Sequence, residues 1–123
     1  MFISTYDPDK SIMVHTADEA VTVKGILQAN AVWFHHPNFN PTAPVLWELN
    51  DQELALSLEE MRTVYSMVRD ALKDKKRQGG KTAWVHPSAL VRSMIDVIWQ
   101  EFAWGSEWKT FATLDEAIEW CLD

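Results

Sequence analysis

The side chains able to do chemistry are few, and most of them sit beside a turn. His86, Ser88 and Glu48 would make a hydrolytic set, with Ser88 as nucleophile, His86 as its base and Glu48 orienting the imidazole. The glycine-flanked elbow that holds such a serine exposed is missing, however, and Ser88 is equally well placed to cap the helix that follows it. His35 and His36 are adjacent, with His15 and His86 elsewhere in the chain. Neighbouring histidines on a helix point about 100° apart and seldom share one ion, and no His-x-x-x-His spacing occurs, so no metal site is expected. Cys121 is the only cysteine, which rules out an intramolecular disulfide and a cysteine-rich metal centre. A P-loop, a dinucleotide fingerprint and a zincin motif are all absent, and no cofactor is expected.

These residues need a scaffold, and 123 residues supply one domain, spanning 1–123, with room for a real core. The composition, 47% hydrophobic and 24% charged, fits a globular chain rather than a disordered or fibrous one. Eleven Lys and Arg against eighteen Asp and Glu leave a net charge of -7, which repels a phosphate backbone, so nucleic acid is not an expected partner. The one basic cluster, Lys73, Lys75, Lys76, Arg77 and Lys81, reads as the end of a helix, where cations oppose the negative end of the dipole. The N-terminal residues lack the basic-then-apolar order of a signal peptide, and every apolar run falls far short of the ~20 residues a membrane span needs. A cytoplasmic chain that makes no use of the membrane is expected.

Strand and helix patterns alternate after an opening hairpin. Phe2, Ile3, Thr5 and Tyr6 are β-formers, Asp7-Pro8-Asp9-Lys10 is turn chemistry, and Ile12 to His15 returns as a strand. A helix follows, starting after Thr16 or at Thr22, with Ile26, Leu27, Asn30, Ala31 and Phe34 at helical spacing. Val45 to Leu49 is the continuous apolar run of a strand buried on both faces. Ser57-Leu58-Glu59-Glu60 is a capping box before Met61, Val64, Tyr65, Val68 and Leu72, and Gly79-Gly80 ends that helix. Thr82 to Val85 is a short strand. Leu90, Met94, Ile98 and Phe102, with Val91 and Ile95 beside them, predict a third helix, ended by Gly105. Trp108 to Ala112 is the last strand, and Thr113-Leu114-Asp115-Glu116 caps a fourth helix. The expected fold is α/β, a single domain with a mixed five-stranded sheet, an N-terminal antiparallel hairpin and four helices. In such sheets ligands sit beyond the carboxyl ends of the strands, where Glu48, Asn50, His86 and Ser88 are the candidates.

This order of elements resembles the STAS domains, the SpoIIAA-like proteins related to anti-sigma factor antagonists, and their SEC14-like relatives. The local patterns that carry the likeness are His36-Pro37 with Phe39 and Pro41 before Val45-Leu46-Trp47-Glu48-Leu49; Leu56-Ser57-Leu58-Glu59-Glu60; Gly79-Gly80-Lys81-Thr82-Ala83-Trp84-Val85; and Phe111 followed by Leu114-Asp115-Glu116-Ala117-Ile118-Glu119-Trp120. They are similar to an uncharacterised bacterial branch of the group and span nearly the whole chain. The resemblance implies a SpoIIAA-like fold and a small, non-catalytic regulatory module that works by being bound. It also implies Ser57 as the position matching the antagonists' phosphorylated serine. The acid before that serine is Leu56 here and the glycines after it are absent, and Glu59 and Glu60 would repel a phosphoryl group. The SEC14-like likeness implies a second role, as a carrier or sensor of a small apolar ligand.

Seven tryptophans remain to be placed. Trp47 and Trp84 belong to interior strands, whereas Trp99, Trp104, Trp108 and Trp120 crowd the last quarter of the chain. With Leu90, Met94, Ile98 and Phe102 already forming a stripe, Val97 and Trp99 widen the apolar surface of the third helix beyond one face. Trp99, Trp104 and Trp108 are therefore the expected contact surface for a protein partner, a homodimer among the options, set against a core rich in large residues.

Overall fold

The computed structural model describes residues 1–71, 80–101 and 107–123. The basic residues Lys73, Lys75, Lys76 and Arg77, the helix end at Gly79, and Phe102, Trp104 and Gly105 lie outside the described residues. The elements are β1 (Phe2–Asp7), β2 (Ile12–Ala17), α1 (Val23–Phe34), β3 (Val45–Glu48), α2 (Leu58–Ala71), β4 (Lys81–Val85), α3 (Ala89–Gln100), β5 (Glu107–Phe111) and α4 (Leu114–Leu122). They form one α/β domain with a five-stranded sheet in the order β1-β2-β3-β4-β5. The β1–β2 pair is antiparallel and every later pair is parallel.

Local chemistry sets the element ends. Asp7 Oδ1 accepts from Asp9 N at 3.0 Å and Lys10 N at 3.2 Å, closing the hairpin turn that Ser11 leaves with φ 54°. Of the two starts the sequence allowed for α1, the chain uses Thr22, whose hydroxyl accepts from Gly25 N at 3.1 Å, because Thr16 and Ala17 are taken up in β2. Gly25 is small for a reason of packing: a Cβ there would lie 3.3 Å from Thr22 Oγ1 and 3.4 Å from the Phe2 ring. Ser57 and Glu60 complete the expected capping box, with Glu60 N donating to Ser57 Oγ at 3.1 Å and Ser57 N to Glu60 Oε1 at 3.0 Å. Ser88 and Thr113 cap α3 and α4.

The strands divide two cores. Met13, Ala17, Val45, Trp47 and Trp84 face one way and meet Ile26, Ala29 and Trp33 of α1, Met61 and Val64 of α2, and Ile95, Ile98 and Trp99 of α3. Ile12, Leu46, Ala83, Val85 and Phe111 face the other way and meet Ala117 and Cys121 of α4. Sequential strand order makes the three crossovers advance in one direction, and crossovers of one hand then lay α1, α2 and α3 on the same side. Among the described residues the opposite face is covered by α4, which follows the last strand.

The first face is built from aromatic rings. Trp47 and Trp84 occupy paired positions on β3 and β4 and stack at 4.8 Å with 10° between planes. Trp99 meets Trp84 edge-on at 4.4 Å, and His15 lies 4.4 Å from Trp47 on the other side. Trp99, expected as a surface residue, is only 4% exposed. Its indole finds a larger apolar contact on Trp84 than water offers, so it turns inward and a different flank of α3 faces out. Trp108 is half-buried and packs against the same core. In α1 the buried position is Trp33, while Ala31, expected in the stripe, is exposed.

Cys121 is buried against α4's side of the sheet, and this burial pushes its thiol up from 9.0 to about 11. A raised thiol value is a stability term that is intact below pH 9 and lost as pH climbs toward 11. The native protein should therefore resist iodoacetamide at pH 8 and react promptly in urea, read by intact mass. Equal rates in both conditions would contradict the packing.

Candidate functional site

β2 to β5 run parallel and share one carboxyl edge, which is where the connections part company. The segments after β3 and β4 leave toward the face covered by α1, α2 and α3, while the segment after β5 leaves toward the face covered by α4. Loops departing to opposite faces open a crevice between them, as at the switch points of doubly wound sheets. Here the crevice is a cleft of about 430 Å³ lined by Glu48, Asn50, Asp51, Val85, Pro87, Ala112 and Leu114.

The walls are held by the backbone. Leu49 N donates to Val85 O at 3.0 Å and His86 N to Phe111 O at 3.0 Å, extending the ladder beyond the last strand residues. Asn50 adopts φ 54°, which asparagine tolerates better than most residues, and its Nδ2 donates to Ala17 O at 2.8 Å. Farther along the same loop, Val21 N donates to Glu53 O and Ala55 N to Val21 O, both at 2.8 Å, stitching it to the start of α1.

Glu48 and Asn50, expected at the ligand end of the sheet, do line this cleft; His86 and Ser88 do not. His86 is 3% exposed. Its Nδ1 accepts from Ser88 N at 3.0 Å, so the other nitrogen carries the proton and donates to Gln52 O at 2.8 Å. Ser88 Oγ accepts from Val91 N at 3.3 Å as the cap of α3. The structure does not join Ser88, His86 and Glu48 in the expected hydrolytic geometry: both ring nitrogens are engaged by backbone groups, and the hydrogen bond between His86 and Ser88 is to the serine amide. The imidazole is a strut that ties the β3–α2 loop to the β4–α3 turn. Arg92 reinforces it, donating from Nη1 to His86 O at 2.8 Å and Pro87 O at 3.0 Å.

The remaining histidines are dispersed. His15 is buried on β2 with Nδ1 2.7 Å from Ser4 Oγ, and His36, just past α1, accepts from Asn38 N at 3.0 Å and lies against Tyr6 and Trp33. Among the described residues no group of three His, Cys, Asp or Glu is placed to hold a metal ion. Ser57 is an exposed helix cap with the Glu60 carboxylate on its amide, so a phosphoryl group on Oγ would meet that charge at close range. No helix among the described residues is long and apolar enough to cross a membrane.

A second feature escaped the sequence reading. On α3 the exposed large apolar residues are Leu90, Met94 and Val97, at 73%, 41% and 66%, while Val91, Ile95, Ile98 and Trp99 face the core. Surplus apolar surface on this helix was expected, and Val97, named for it, is exposed; Leu90 and Met94 were expected in the buried stripe and Trp99 outside it, because the series from Leu90 and the series from Val91 are equally periodic. The signal that separates them is the bulk of Trp99, which shares a flank with Val91 and Ile95 and is the costliest side chain to leave in water. No family model matches the chain, and no curated protein matches it.

If His86 is structural, replacing it with Ala strands the Gln52 carbonyl and the Ser88 amide, each at about 1–3 kcal/mol. Ser88→Ala removes only a cap, about 1 kcal/mol. Urea denaturation should rank His86→Ala as clearly the more damaging of the two; the reverse order would refute the strut.

Proposed function

We propose that this chain is a non-catalytic interaction module whose docking surface is the outward flank of α3, and that its partner there is a second copy of the chain. The observation that carries the reading is the exposure of Leu90, Met94 and Val97 at i, i+4 and i+7 of one helix. An apolar flank that the fold leaves uncovered gains by meeting another, roughly 1.5–3 kcal/mol for each such side chain fully buried.

Charge selects the occupant. The exposed positions Ala89, Leu90, Ser93, Met94, Val97 and Gln100 carry no formal charge. The charged residues of this helix and its cap are turned to partners within the molecule: Arg92 to the His86 and Pro87 carbonyls, Asp96 to the Thr110 hydroxyl, Glu101 to Arg62. Two copies of a chain with net charge -7 repel each other least where neither presents charge. A charged partner, by contrast, would find nothing here to pair with. Two-fold symmetry sets this neutral patch against itself.

The likeness to STAS and SpoIIAA-like domains, which rests on the element order and the local patterns, supports a regulatory and cytoplasmic role of this kind. The carrier reading drawn from the SEC14-like likeness has less behind it, since the cleft at the strand ends bears two carboxylates.

Light scattering on the purified chain should give twice 14.2 kDa at high protein concentration. Val97→Asp should return it to the monomer with unchanged far-UV circular dichroism. A wild-type protein that stays monomeric at the highest soluble concentration would overturn the assignment of the partner.

A further inference from the structure

We infer that the cleft at the carboxyl ends of β3, β4 and β5 binds a small organic cation, an aliphatic ammonium or guanidinium group carried on a short apolar body. The inference does not depend on the α3 surface. It starts from the topology: the connections after β4 and β5 diverge to opposite faces, and the ends of three strands and their loops line the resulting crevice of about 430 Å³.

The lining selects the ligand. Val85, Pro87, Ala112 and Leu114 give an apolar wall suited to methylene groups. The polar lining residues are the carboxylates Glu48 and Asp51, which can only accept when ionised, and Asn50, whose amide nitrogen is engaged by Ala17 O. Glu48 and Asp51 take part in no ion pair among the described residues. An anion is disfavoured twice over, by these carboxylates and by Asp115 and Glu116, which answer the positive end of α4 from within its own first turn. A neutral apolar molecule would leave the two carboxylates without a counter-charge. A cation with an aliphatic stem satisfies both sides of the cleft. It can come from two sources, a free amine or the side chain of a lysine or arginine on another protein.

The test is a titration of the isotope-labelled full chain, followed by amide NMR shifts, with n-butylammonium and n-butylguanidinium chloride. At matched ionic strength, n-butanol and butyrate serve as the neutral and anionic counterparts. Saturable shifts at Asn50, Asp51, Ala112 and Leu114 with the cations alone are expected, and Glu48→Gln with Asp51→Asn should weaken binding about tenfold or more. A blocked lysine that binds more tightly than n-butylammonium identifies a protein side chain as the source; weaker binding identifies a free amine. Equal response to n-butanol, or no saturation with either cation, would overturn the proposal. Should the double variant fail to fold, the charge selectivity of the wild-type protein decides the matter alone.

Discussion

The stack of Trp47 on Trp84 is the contact that the rest of the architecture accommodates. The two indoles occupy paired positions on adjacent parallel strands, so the sheet register itself brings them to 4.8 Å. Each ring of this size removes a large apolar area from water, and offset stacking adds to that burial. The Trp84 nitrogen is buried without a hydrogen-bond partner among the described residues, so the ring is held there by its apolar area and its ring contacts rather than by a polar anchor. Trp99 is then drawn down onto Trp84, which fixes how α3 is rotated about its own axis. That rotation is what leaves Leu90, Met94 and Val97 outside.

A sheet with its strands in sequential order has a lopsided outcome. Three helices cover one face and a single helix covers the other, and the loops at the carboxyl edge must split between them. The cleft is a by-product of that split. Its walls are tied by His86, whose two ring nitrogens each hold a different backbone segment, and by Asn50, which adopts φ 54° and reaches Ala17. Of the residues that look chemically active in the sequence, His86 and Ser88 thus turn out to hold backbone, while Glu48, joined by Asp51, lines the cleft.

The caps at Ser57, Ser88 and Thr113 and the hairpin turn at Asp7 were legible because each depends on residues within four positions of one another. Val45 to Glu48 was legible for a related reason: a strand apolar at successive positions can only be one covered on both faces, and Val45 and Leu46 do face opposite cores. The inward turn of Trp99 was not legible, since a helix can bury either of two overlapping stripes and the choice falls to whatever ring waits on the sheet beneath it. Nor was the role of His86, whose proton position is set by Gln52, thirty-four residues away.

Taken alone, the order of residues determined the element types, the four-helix alternation after a hairpin, and the acidic field that disfavours anionic partners, because these follow from short-range periodicity and summed charge. Tertiary structure alone decided which flank of α3 meets solvent, which histidine nitrogen is protonated, and where a cleft opens. Those outcomes depend on contacts between segments far apart in the chain, and no local pattern encodes which of several equally periodic arrangements the packing will select.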